Sequence, residues 1–125
     1  MATARILVID DDQHILEMLR LALSRSGFEV IQAIDGDIGL RRFQEDKPDL
    51  AIIDIAMPGI DGYQVIERIR DSETGNKEKM PIIVLTAHDQ GVMKTYAEEL
   101  GVELYLTKPI APKVLADHIS KLLDK

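Results

Sequence analysis

The sequence predicts an α/β domain: an open parallel sheet with helices on both faces. Three observations predict it. Short runs rich in Val, Ile and Leu recur at 6–9, 28–33, 50–53, 82–85 and 102–106. Their apolarity is continuous rather than alternating, as in strands covered on both faces. Segments with helical spacing follow each run, so the order is β-α five times over, and right-handed crossovers turn such alternation into a parallel sheet.

Taken in order, 6–9 ("ILVI") is the first strand. Ile15, Leu16, Leu19, Ala22 and Leu23 then share one helical face, and Ser26–Gly27 supplies a stop. The second strand, 28–33, leads to a helix over 37–46 ("DIGLRRFQED") with Ile38, Leu40 and Phe43 as its apolar contacts. The third strand, 50–53, leads to a helix over 63–71 ("YQVIERIRD") that buries Val65, Ile66 and Ile69. The polar stretch 71–80 ("DSETGNKEKM") reads as a solvated loop before the fourth strand. A helix over 92–101 ends at Gly101, and the fifth strand, 102–106, precedes a last helix over 113–125. No repeat, linker or low-complexity run interrupts the pattern, so 1–125 reads as one domain, with no output domain expected.

Composition narrows the function classes. The chain has no cysteine, which excludes disulfides and thiolate metal sites and fits a reducing compartment, the cytoplasm. Its opening, "MATARILVID", lacks a secretory layout, and no stretch approaches the ~20 apolar residues of a membrane span. A formal charge of −7 argues against non-specific binding to nucleic acid or anionic membrane.

In open parallel sheets, ligands sit beyond the carboxyl ends of the strands. There the first strand delivers Asp10, Asp11 and Asp12, the third Asp54, the fourth Thr86, and the fifth is followed by Lys108. Carboxylates this close repel unless a cation joins them. An all-oxygen set without His or Cys favours a hard divalent ion, and Mg²⁺ combines one or two carboxylates with waters and phosphate oxygens. A metal, a lysine and an aspartate that can serve as nucleophile are the equipment of phosphoryl transfer. Asp54 is the best-placed nucleophile, because it ends a central strand.

Each residue alone has a plainer reading. Asp12 is a candidate helix cap, Asp54 can open the turn "DIAMPGIDG", Thr86 is common at a strand end, and Lys108 alone is a surface lysine. Capping needs one acid, however, and not three. A purely structural Mg²⁺ or Ca²⁺ site remains an alternative that leaves Thr86 and Lys108 unexplained. No G-x-x-x-x-G-K-[ST] loop, no G-x-G-x-x-G turn and no EF-hand spacing is present. His14, His88 and His118 are too scattered to suggest zinc.

The chain resembles a bacterial two-component response-regulator receiver domain of the single-domain, chemotaxis-receiver-like kind. The resemblance runs from "ILVIDDD" through "PDLAIIDIAMPGIDGYQVIERIR" and "MPIIVLTAH" to "LYLTKPI". It implies a (βα)5 flavodoxin-like, doubly wound sheet of strand order 2-1-3-4-5. It also implies that Asp54 accepts the phosphoryl group. Asp11, Asp54 and the Ala56 main-chain carbonyl would bind Mg²⁺, and Asp10 would act through water. Lys108 and Thr86 would stabilise the phosphoryl group, and the Lys108–Pro109 bond resembles one that is often cis. Thr86 and Tyr105 occupy switch positions, although Tyr105 also reads as a core aromatic. Ala56 and His88 fall where the family tunes phosphoryl lifetime.

The implied function is a signalling module, not an enzyme on an external substrate. A histidine kinase or phosphotransfer domain would phosphorylate Asp54, and the face of the fourth helix, fifth strand and fifth helix would then control binding of a downstream protein. No direct nucleic-acid or membrane partner is expected, and the module is expected to be a monomer. Two other classes stand beside it. A phosphorylation-dead scaffold would lack Asp54 or Lys108, and both are present. A haloacid-dehalogenase-type phosphatase wants Asp-x-Asp-x-[Thr/Val], whereas Asp10-x-Asp12 is followed by Gln13 and His14.

Overall fold

The computed structural model describes residues 3–57, 59–73, 78–87 and 91–124. Five strands, β1 (Arg5–Ile9), β2 (Glu29–Ala33), β3 (Leu50–Ile53), β4 (Ile82–Thr86) and β5 (Leu104–Thr107), alternate with five helices. The helices are α1 (Gln13–Arg25), α2 (Gly36–Asp46), α3 (Gly62–Ser72), α4 (Gly91–Glu99) and α5 (Pro112–Leu123). All strands are parallel in the order β2-β1-β3-β4-β5, the order implied by the family resemblance.

Burial follows that order. The central strands β3 and β4 are buried throughout and β1 nearly so, whereas the edge strands β2 and β5 are only partly covered. Successive side chains alternate between two apolar layers. Leu7, Ile9, Ala51, Ile53 and Val84 pack with α3 residues Val65, Ile66 and Ile69 on one face. Ile6, Val8, Leu50, Ile52 and Ile83 pack with Leu16, Leu19 and Leu23 of α1 and Leu115 and Ile119 of α5 on the other. Continuous apolarity in the sequence therefore does mean two covered faces.

Several boundaries differ from the sequence expectation. The fifth strand spans Leu104–Thr107 rather than 102–106. The Val102 N–H still bonds back to the Ala97 carbonyl, so Val102 belongs to the exit from α4, and Gly101 turns the chain at φ +88°. Phe28 likewise belongs to the exit from α1, its N–H on the Leu23 carbonyl, so β2 starts one residue later than expected. In the polar stretch before β4, residues 74–77 lie outside the described residues. No helix among the described residues is long and apolar enough to cross a membrane.

Candidate functional site

Strand register builds the site. Ile9 aligns with both Ala33 of β2 and Ile53 of β3, so the next residues emerge side by side at the carboxyl edge. The Asp10 N–H still reaches the Ala33 carbonyl at 3.1 Å, and the Asp54 N–H reaches the Ile9 carbonyl at 3.0 Å. Asp10 and Asp54 are thereby held as extensions of central strands and are only 3% and 6% exposed. Asp11, one residue on, is exposed. Carboxylate oxygens of Asp10, Asp11 and Asp54 all lie within 4.8 Å of one another.

Asp12 separates from this group. Its side chain accepts from the N–H groups of His14 (2.9 Å) and Ile15 (3.4 Å) and caps α1. The triplet thus divides by role: two acids face the site and the third satisfies the helix end. Asp10 also accepts the Asp12 N–H at 2.9 Å, which fixes its carboxylate.

Lys108 follows β5, with its N–H on the Thr86 carbonyl at 2.7 Å, and its bond to Pro109 is cis. The Lys108 ammonium donates to Asp10 Oδ2 at 2.7 Å and to Asp54 Oδ2 at 3.1 Å. Burial acts to lower the lysine's pKa. The hydrogen bonds and charges of Asp10 and Asp54 outweigh it and hold the ammonium above its ordinary value. Burial pushes the Asp10 carboxyl up, against the Lys108 ammonium and the Asp12 N–H.

Thr86 ends β4 fully buried and pairs in register with Thr107. Two residues beyond Val84, it shares the α3-side face with Tyr105, which pairs with Val84 and packs on that layer. The structure therefore brings Asp10, Asp11, Asp54, Thr86 and Lys108 to one rim, with Tyr105 on the adjacent strand. Ala56 is exposed beside Asp54, and its N–H donates to Asp54 Oδ1 at 3.0 Å. His88 lies outside the described residues.

The sequence reading missed Gly62, which it took for ordinary turn chemistry. A Cβ there would lie 2.5 Å from the Asp54 carbonyl oxygen and 2.5 Å from the Ile55 Cα, so the first turn of α3 presses directly on the backbone that carries Asp54. The Gly62 N–H also reaches the Ile55 carbonyl at 3.3 Å. Asp61 caps α3 through a reciprocal pair with Gln64 and fixes the helix against this segment. A glycine required for close approach and one required for a turn look alike in sequence.

The donors suit a hard divalent ion: three carboxylates converge, with no nitrogen or sulfur ligand among them. A lysine already committed to two of those carboxylates is placed to follow negative charge on Asp54.

Comparison with known proteins points the same way. Residues 6–120 match the family model described as the response regulator receiver domain. The chain is 37% identical over 121 residues to the alkaline phosphatase synthesis transcriptional regulatory protein PhoP of Bacillus subtilis, covering 97% of this chain and 49% of that protein. It is 39% identical over 121 residues to the probable transcriptional regulator ycf27 of Cyanophora paradoxa, covering 97% and 48%. The chain thus spans about half the length of these curated relatives. Among solved structures, chemotaxis protein CheY4 of Vibrio cholerae superposes with a TM-score of 0.90 at 29% identity, over 98% of this chain and 100% of that one. A putative response regulator from Chloroflexus aurantiacus gives 0.88 at 34% identity, over 99% and 100%.

Proposed function

The chain belongs to the response-regulator receiver family of two-component signalling, and from that premise we propose that it is a switch phosphorylated on Asp54 by a phosphohistidine donor. A carboxylate oxygen of Asp54 attacks phosphorus. The bond from phosphorus to the donor's imidazole nitrogen breaks, its electron pair stays on that nitrogen, and Asp54 becomes an acyl phosphate. Hydrolysis resets the site: water attacks phosphorus, the bond to the Asp54 oxygen breaks, and inorganic phosphate leaves. The chain acts only on itself and is a signalling protein rather than an enzyme with an external substrate.

Receiver domains generally use Mg²⁺ at an aspartate cluster, and here Asp11, Asp54 and the Ala56 carbonyl would hold it, with Asp10 reaching it through water. The bound ion would supply charge neutralisation. Lys108 keeps its ammonium on Asp10 and Asp54 and follows the charge onto the phosphoryl oxygens. Thr86 turns its hydroxyl to a phosphoryl oxygen, and Tyr105 turns in behind it. That change shifts an equilibrium between arrangements of the α4, β5 and α5 face.

The family's partners are histidine kinases and downstream targets. For this chain the donor would be a sensor kinase or a phosphotransfer domain, and the output would be binding of a protein by the monomeric receiver in the cytoplasm. The curated relatives are named transcriptional regulators. This chain's charge of −7 favours a protein contact over a direct nucleic-acid one.

The observation that carries the reading is the convergence of Asp10, Asp11 and Asp54 under the Lys108 ammonium. It is tested by adding beryllofluoride with Mg²⁺ and recording amide NMR shifts. Large shifts around Asp54, Thr86 and Tyr105 are expected; a silent spectrum would leave a scaffold that phosphorylation does not control.

A further inference from the structure

Among the described residues, α4 buries only Ala97 fully, whereas α3 buries Val65, Ile66 and Ile69. So thin an apolar seat leaves α4 dependent on other ties. Two tyrosines provide them. The Tyr63 hydroxyl, at the start of α3, donates to the Met93 carbonyl in the first turn of α4 at 2.9 Å. In return, the Tyr96 hydroxyl of α4 donates to Glu67 Oε2 of α3 at 2.9 Å. Between these bonds the two rings meet edge to face, with centroids 4.9 Å apart and planes at 64°.

This corner is also where Tyr105 packs. Tyr63, Met93 and Tyr105 all lie against the same apolar layer, so the chain's three tyrosines gather at the junction of α3, α4 and β5. Burial, then the neighbouring Tyr105, Asp61 and Tyr96, push the Tyr63 hydroxyl up to about 12. It therefore stays a donor throughout the neutral range. Tyr96 is 42% exposed, so its bond to Glu67 competes with water and is the weaker tie.

We propose that the Tyr63–Tyr96 clasp fastens α4 to α3 in the arrangement where Lys108 bridges Asp10 and Asp54, and so sets how much phosphoryl binding energy is needed to switch the α4 face. The proposal rests on the phosphoacceptor reading of Asp54. If switching displaces α4, the clasp must open. By linkage, whatever stabilises the clasped arrangement weakens binding of a phosphoryl group or its mimic by the same factor.

The test is a beryllofluoride titration in saturating Mg²⁺, followed by amide NMR, on wild type, Tyr63→Phe and Tyr96→Phe. Both variants keep the ring and lose only the hydroxyl, so the apolar packing survives. Tyr63→Phe should bind the mimic roughly two- to tenfold more tightly, the ratio that one net hydrogen bond is worth. Tyr96→Phe should bind more tightly by a smaller factor. A merely structural bond would lower thermal stability and leave affinity unchanged; unchanged or weaker affinity in Tyr63→Phe overturns the clasp. Failure of the underlying reading looks different, because wild type itself would then give no Mg²⁺-dependent response, and the clasp would fall with it.

Discussion

The ammonium of Lys108 lies 3.1 Å from Oδ2 of Asp54, a residue 54 positions away in the chain. The same ammonium reaches Asp10 Oδ2 at 2.7 Å, and all three side chains are largely buried. One lysine therefore holds together the ends of β1 and β3 from beyond the end of β5. Removing it leaves two buried carboxylates facing each other with no cation between them. Lys108→Ala should lose about 1–3 kcal/mol of stability in metal-free buffer, and part of the loss should return when Mg²⁺ is added. Urea unfolding with and without Mg²⁺ measures both. Labelling of Asp54 by acetyl phosphate should persist at a reduced rate, with the downstream response impaired. Unchanged stability would mean that the bridge contributes nothing.

The alkaline limb of the stability curve has a defined sign. Tyr63 is raised from 10.0 to about 12 in the folded protein, chiefly by burial, and the Lys108 ammonium is raised by Asp10 and Asp54 against its burial. A group raised on folding contributes stability that is whole below its unfolded value and disappears as pH climbs through the folded one. Stability should hold to about pH 10 and then fall, and Tyr63→Phe should flatten that fall between about 10 and 12. Chemical denaturation from pH 8 to 12 checks it. An equally steep fall in Tyr63→Phe would place the ionising group elsewhere.

Gly62→Ala puts a methyl group 2.5 Å from the Asp54 carbonyl oxygen and the Ile55 Cα, and neither is a flexible side chain that can move aside. Overpacking of this kind costs about 1–3 kcal/mol, and here the displaced backbone carries Asp54, the residue proposed to accept the phosphoryl group. Stability and labelling rate should fall together. Gly59, at φ +76° with open space where its Cβ would lie among the described residues beyond its chain neighbours, is the control. Gly59→Ala should cost about 1–2 kcal/mol through backbone strain and leave the labelling rate near wild type. Equal labelling rates in the two variants would separate Gly62 from the site.

Asp11 is the exposed member of the acidic group, and its oxygens lie within 4.8 Å of those of Asp10 and Asp54. Asp11→Ala removes like-charge repulsion that Lys108 does not neutralise. Metal-free stability should rise by less than about 1 kcal/mol, and Mg²⁺-dependent labelling should be lost. Thermal unfolding in chelator, paired with a labelling assay, measures both. Lower stability with labelling retained would show that another aspartate does this work.

What was legible in the sequence was whatever one strand or helix carries by itself. The strand runs were visible because β1, β3 and β4 are buried on both faces, and Asp10, Asp54 and Thr86 were visible because each sits at or just beyond the end of such a run, while Lys108 directly follows the fainter run of β5. Asp12 as the cap of α1 could be read from its place before a helical face. What stayed hidden depends on contacts between segments far apart. In the sequence Arg70 is one more charged residue on α3, with nothing to set it apart. Its guanidinium instead reaches Glu73 (2.7 Å), the Met80 carbonyl (2.9 Å), the Gly101 carbonyl (2.7 Å) and Glu103 (3.2 Å), and it ties α3 to the chain before β4 and β5. Nothing local to Arg70, Gly62 or the Tyr63–Tyr96 pair announces a partner up to 33 residues away. The edge strand β5 was the least sharply bounded, since a half-covered strand carries less apolar signal than a central one.

The central claim is that Asp54 is the residue modified. Incubating the protein with Mg²⁺ and acetyl phosphate, and measuring the intact mass of wild type and Asp54→Asn side by side, tests it most directly. A phosphoryl adduct on wild type and none on Asp54→Asn is the expected result. An adduct that persists on a folded Asp54→Asn protein would contradict it.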